Sequence, residues 1–130
     1  MAGEKLLIAD DDKLALKHLE QAMKKTGYAV TATQSGGNAQ SLLEKQSFDV
    51  VLCELRMDKV DGMQLLRRCR ESLPDTEVIL ITGQATLESA VEAMKLGAFH
   101  YLAKPCPLDD LRRVVAGALE KIRLRRESRS

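Results

Sequence analysis

Apolar positions along this chain follow two alternating rhythms. Leu6 to Ala9 is a short apolar run ending in three aspartates. Ala15, Leu16, Leu19, Ala22 and Met23 then recur at helical spacing and stop at Gly27. From Tyr28 to Thr33 the pattern alternates, with Tyr28, Val30 and Ala32 on one side and Thr31 and Thr33 on the other. That is a strand with one polar face. Gly36-Gly37 breaks it, and Ala39, Leu42 and Leu43 mark a second helix. Val50 to Cys53 reads as the third strand. Gly62 opens a third helix, with Leu66, Cys69 and Leu73 on one face, closed at Pro74. Val78 to Ile81 is a fourth strand ended by Thr82-Gly83. Leu87, Ala90, Val91 and Met94 give a fourth helix, closed at Gly97. Phe99 to Ala103 is a fifth strand ended by Lys104-Pro105, and Leu108, Leu111, Val115, Ala118 and Ile122 give the last helix.

Five strand–helix repeats predict an α/β fold, a parallel sheet with helices on both faces. Strands one, three and four are almost wholly apolar and belong in the centre. The half-polar second strand belongs at an edge. Right-handed crossovers then favour the strand order 2-1-3-4-5. The segment 121-KIRLRRESRS-130 is basic and loses its apolar period after Leu124. The expected organisation is one domain over 1–122 and a basic helix extension that frays, or a linker, over 123–130. Five cations without aromatic residues offer only non-specific attraction to phosphates, so no direct nucleic-acid binding is expected of this domain.

Composition narrows the picture. The 130 residues suit one domain, with 45% hydrophobic and 30% charged residues and a net charge of +1. Such a balance does not point to nucleic acid or an acidic substrate. No apolar run nears the ~18 residues of a membrane span, and the N-terminus lacks a signal peptide's apolar core. Cys53, Cys69 and Cys106 match no zinc spacing and read as free thiols in a reduced cytosol. His18 and His100 have no second ligand at a useful spacing and read as surface or packing residues.

Chemistry concentrates at the strand ends. In a parallel sheet all carboxyl ends share one edge, and ligands bind there at the switch point between strands one and three. That edge collects Asp10, Asp11 and Asp12 after strand one and Glu54 after strand three. It also collects Thr82 after strand four and Lys104 after strand five. Converging carboxylates repel and raise each other's pKa. A hard divalent cation such as magnesium resolves this, through one or two carboxylates and several waters. Lys104 could neutralise charge from the other side, and the Thr82 hydroxyl could donate to an anion. Such a set suits phosphoryl transfer. The plainer readings are that Asp12 caps the next helix and that Thr82 is structural.

The stretches 7-LIADDD-12, 49-DVVLCELRMDKVDG-62, 79-ILITG-83 and 98-AFHYLAKP-105 resemble the receiver domain of two-component response regulators, over roughly residues 4–122. The stretch from Ile79 to Pro105 looks especially like receivers of nitrogen-regulation-type transcriptional activators. The resemblance implies a flavodoxin-like (βα)5 fold and a regulatory switch rather than an enzyme. In the family, a histidine kinase's phosphoryl group passes to an aspartate at the end of strand three, with magnesium. Residue by residue, the resemblance implies that Asp11 ligates magnesium directly and Asp10 through water. The Arg56 carbonyl and the residue at position 54 complete the metal set. Thr82 matches the switch hydroxyl, Tyr101 the aromatic switch residue that turns inward on activation, and Lys104 the phosphate-pairing lysine. Pro105 would follow a cis bond. Implied partners are a histidine kinase or phosphotransfer protein, a downstream effector or output domain, and a homodimer through the helix 4–strand 5–helix 5 face. The implied location is cytoplasmic.

Two positions depart from the family pattern. Glu54 stands where the family has its phosphoacceptor aspartate, and Asp58 where it usually has proline. Glutamate is longer by one methylene, about 1.5 Å. A misplacement of about 1 Å can cost about a hundredfold in an in-line reaction. Phosphorylation is therefore expected to be lost, or mimicked by Glu54 approaching Lys104 and Thr82. A carboxylate falls short of the phosphoryl charge of about −1.5 to −2, so the imitation is partial. Magnesium binding is expected to be weakened. Asp58 is either a solvated loop residue or an alteration of metal or partner recognition. The alternatives are a magnesium-dependent small-molecule phosphohydrolase and a metal-free interaction module.

Overall fold

Strand and helix segments alternate from end to end in the computed structural model, which describes residues 3–129. In order they are β1 (Lys5–Ala9), α1 (Lys13–Thr26), β2 (Ala29–Thr33), α2 (Gly36–Lys45) and β3 (Val50–Glu54), then α3 (Gly62–Ser72), β4 (Glu77–Thr82), α4 (Leu87–Lys95), β5 (His100–Ala103) and α5 (Leu108–Ser128). All strand pairs are parallel, and the sheet order is β2-β1-β3-β4-β5, as the apolar runs predict. Residues 1, 2 and 130, at the ends of the expected domain and basic segment, lie outside the described residues.

Strand alternation divides the core into two layers. Leu6, Ile8, Val50, Leu52, Ile79 and Ile81 face α1 and α5, meeting Leu16, Leu19, Met23, Leu111, Val115 and Ile122. Leu7, Ala9, Val51, Cys53, Val78 and Leu80 face the other way and pack with Ala39, Leu43, Leu65, Leu66, Cys69 and Ala93. Each fully buried Leu or Ile contributes about 1.5–3 kcal/mol. Burying both faces explains why β3 and β4 are apolar almost throughout.

Helix ends follow the local chemistry. Asp12 caps α1 by accepting from the Leu14 and Ala15 N–H groups, and Gly27 closes it in the left-handed region at φ 110°. Gly36 and Gly37 do not merely break strand two. They form the first turn of α2 behind the Ser35 cap. A Cβ on Gly36 would lie 1.7 Å from the Val60 carbonyl oxygen, so α2 presses against the β3–α3 loop where only glycine fits.

The basic end of the chain is helical past Leu124. Helix α5 continues to Ser128. Its buried stripe of Leu111, Val115, Ala118 and Ile122 runs on, at the same spacing, as Arg125 and Arg129. Arg125 pairs with Glu77 at 2.6 Å, Arg129 with Asp75 at 2.9 Å and Arg126 with Asp49 at 3.2 Å. These acids lie at the amino-terminal edge of the sheet, opposite the cluster of aspartates. His18 and His100 are exposed, and the three cysteines are free, with Cys53 and Cys69 buried. No described helix is long and apolar enough to cross a membrane.

Candidate functional site

The carboxyl ends of the strands frame a cleft of about 490 Å³ lined by Asp10, Asp11, Asp12, Glu54, Arg56, Thr82, Gly83, Gln84 and Lys104. Chain geometry puts them there: β1 and β3 are neighbours, so the residues that follow Ala9 and Cys53 emerge side by side. A groove of about 520 Å³ near Tyr28, Leu119 and Arg123 lies by α5 at the other end of the sheet and shares none of these residues.

Three of the predicted residues converge tightly. Lys104 donates from Nζ to Asp10 Oδ2 at 2.7 Å and to Glu54 Oε1 at 2.8 Å. Asp10 is fully buried, Glu54 nearly so, and Lys104 partly. The remaining carboxylate oxygens take backbone donors. The Asp12 N–H donates to Asp10 Oδ1 at 2.9 Å, and the Arg56 N–H donates to Glu54 Oε2 at 3.0 Å. Burial alone would lower the Lys104 pKa. Hydrogen bonds and attraction from Asp10 and Glu54 outweigh it and raise the value.

Other predicted residues stand apart. Thr82 is buried, but its hydroxyl oxygen accepts from the Gln84 N–H at 3.1 Å. The expected approach of Glu54 to Lys104 is made as a hydrogen bond, while no hydrogen bond joins Glu54 to Thr82 among the described residues. Each oxygen of the Glu54 carboxylate instead accepts from another donor, Oε1 from Lys104 and Oε2 from the Arg56 N–H. Asp11 is exposed and forms no ion pair among the described residues, and the Arg56 side chain is exposed too. Asp58 is also exposed and does not line the cleft. The Lys104–Pro105 bond is cis.

Tyr101 packs against the core layer under α4. Its hydroxyl hydrogen-bonds the Ser89 Oγ in the first turn of α4. Ser89 is tied in turn to Thr86, whose side chain accepts from the Ser89 N–H at 3.0 Å. Sequence reasoning missed Ser89. The Thr86-x-x-Ser89 spacing suggests a helix cap, but nothing local announces that β5 brings Tyr101 against it. Glu77, buried beneath Arg125, was missed for the same reason.

The Response regulator receiver domain family model matches residues 6–116. Curated relatives include the alginate biosynthesis transcriptional regulatory protein AlgB of Pseudomonas aeruginosa, 34% identical over 89% of this chain. They also include the transcriptional regulatory protein GlrR of Escherichia coli, 36% identical over 89% of this chain. In both cases the match covers 26% of the relative, so the chain spans about a quarter of their length. A solved receiver domain from Clostridium thermocellum superposes with a TM-score of 0.87 at 32% identity, covering 92% of this chain and 97% of that one. The beryllofluoride-activated NtrC4 receiver domain dimer gives 0.86 at 26% identity, covering 92% and 98%. A phosphohydrolase or a metal-free interaction module is not favoured by these relationships. The strand-end acids, the lysine that follows β5 and the family match lead to one conclusion: the chain belongs to the receiver domains of two-component response regulators, regulatory switches rather than conventional enzymes.

Proposed function

We propose that this receiver is a switch whose phosphoacceptor position is filled by Glu54, a poor acceptor that partly imitates the phosphorylated state. The observation that carries this is the 2.8 Å contact from Lys104 Nζ to Glu54 Oε1. In this reading Lys104 gives the carboxylate the contact it would otherwise give a phosphoryl group. The inward Tyr101, bonded to Ser89, supports the same reading. Thr82 remains uncommitted to Glu54, which fits an incomplete imitation.

Receiver domains interact with histidine kinases and output domains. The partner surface proposed here is the α4–β5–α5 face. Leu87, Val91 and Met94 of α4 are exposed apolar residues, and Leu87 is 81% exposed. We assign that face to a second copy of the chain or to an effector of transcription, in the cytoplasm. The basic segment 123–128 is read as a rigid helical extension of the domain.

The test is incubation with a small-molecule phosphodonor and magnesium, on the native chain and on Glu54→Asp. The expected result is a stable adduct on Glu54→Asp and none on the native chain. Equal labelling of both would overturn the reading.

A further inference from the structure

At the amino-terminal edge of the sheet, two guanidinium groups from different helices share the same two acceptors. Arg125 of α5 donates to Glu77 Oε2 at 2.6 Å and to the Pro74 carbonyl oxygen at 3.2 Å. Arg70 of α3 donates to the same carbonyl oxygen at 3.5 Å, and its Nη1 lies 3.9 Å from the same Glu77 oxygen. Arg70 also donates to the Thr76 carbonyl oxygen. Its Nε is buried and has no hydrogen-bond partner among the described residues. Lys121 stands 3.5 Å from Glu77 and 5.8 Å from the centre of the Phe99 ring.

We propose that Arg70 is the alternate cation for Glu77, and that its capture of this carboxylate releases the last turns of α5. The inference rests on reading 123–128 as a rigid helical extension, and it adds what holds that extension and what lets it go.

Glu77 has no exposure to solvent, and a buried carboxylate left without a cation is costly. Beyond Ile122 the described part of α5 buries no apolar residue. Its hold on the domain is ionic, through Arg125, Arg126 and Arg129. Were Arg125 the sole cation near Glu77, its departure would strand a buried anion. Arg70 removes that obstacle. Both guanidinium groups stay charged throughout the physiological range, and at this separation they repel one another. A move toward Glu77 gives the Arg70 Nε an acceptor, where a buried donor left unpaired is unfavourable. The docked arm thus has a second state close by, in which Arg70 replaces Arg125. The turn between α4 and β5 sets the position of Arg70. A Cβ on Gly97 would lie 2.9 Å from Arg70 Cδ and 3.4 Å from its Cγ, so the arginine stem packs against that turn. A shift of the turn moves the alternate cation and so reaches the arm. Competition for one acceptor is reciprocal: each guanidinium weakens the hold of the other by the same factor.

The experiment compares backbone amide hydrogen exchange over 123–129 in the native chain and in Arg70→Met, which keeps an unbranched stem beside Gly97 and loses the charge. Local opening of the arm controls these amides. With no alternate cation, opening strands Glu77, and exchange is expected to slow about fivefold or more. In Arg125→Gln, the Arg70 Nε–H proton resonance is expected to move downfield as it gains an acceptor. Arm amides that exchange in Arg70→Met at the native rate or faster overturn the proposal, because Arg70 then helps the clamp instead of competing with it. An Arg70 Nε–H resonance that stays in place in Arg125→Gln overturns it too, and this measurement decides alone if Arg70→Met does not fold. Failure of the rigid-extension reading would appear separately, as arm amides of the native chain exchanging at the rate of an unfolded peptide, in which case both fall.

Discussion

Arg125 Nη2 lies 2.6 Å from Oε2 of Glu77, a carboxylate with no exposure to solvent. Lys121 and Arg70 approach the same group less closely, at 3.5 and 3.9 Å. One buried anion thus ties the end of α5 to α3 and to the start of β4. Arg125→Ala leaves Glu77 short of its nearest cation and is expected to cost about 1–3 kcal/mol. Arg129→Ala breaks only the more exposed pair with Asp75 and is expected to cost less than Arg125→Ala. Urea unfolding of both variants checks the ranking. Equal costs would mean that burial of Glu77 does not set the strength of the clamp.

The Tyr101–Ser89 contact links the edge strand to α4. Ser89→Ala removes that partner and half of the reciprocal cap with Thr86. The loss should cost about 0.5–1.5 kcal/mol. Hydrogen exchange should quicken at α4 amides and stay slow in β3 and β4. Tyr101→Phe should reproduce the effect on α4 in weaker form, since the Thr86 cap survives. Unchanged α4 exchange in both variants would show that the latch is not what holds the helix.

Adjacent glycines offer a matched pair. A Cβ at Gly36 would sit 1.7 Å from a backbone carbonyl, whereas at Gly37 the nearest heavy atom would be 3.7 Å away. Gly36→Ala must push α2 off the β3–α3 loop and should cost about 1–3 kcal/mol or more. Gly37→Ala lies in a helix with room to spare and should stabilise by about 0.5–1 kcal/mol. Thermal or urea unfolding distinguishes them by sign.

Alkaline stability has a local source in the core. Burial pushes the Cys69 thiol from 9.0 to about 11. Its proton is therefore held more tightly in the native state than in the unfolded chain. This contribution is complete below pH 9.0 and is lost as pH rises to about 11. The raised value corresponds to about 3 kcal/mol. Cys69→Ala should lose less stability than the native protein across that window. Parallel pH profiles for the two would argue against it. Burial raises Cys53 in the same direction, so a residual alkaline slope is expected in the variant.

Much of this protein is legible in its residues. Apolar runs at Leu6–Ala9, Val50–Cys53 and Val78–Ile81 mark buried parallel strands, because only a strand covered on both faces is apolar throughout. Strand order and the common carboxyl edge follow from chain handedness. They bring Asp10, Glu54 and Lys104 together across gaps of 44 and 50 residues. The cap at Asp12 is equally local.

Tertiary structure alone decided the rest. Arg125 and Arg129 read as the start of a fraying tail, because a cation at an inner helical position has no meaning until its acid is placed. Glu77 and Asp75 supply those acids from more than 45 residues away. Ser89 reads as a cap until β5 carries Tyr101 against it. The direction of the Glu54 carboxylate, toward Lys104 and the Arg56 N–H rather than Thr82, also lay beyond the sequence. Hydrophobic periodicity is a property of neighbours along the chain. The pairing of buried charges and hydroxyls depends on which distant groups the fold brings within about 3 Å.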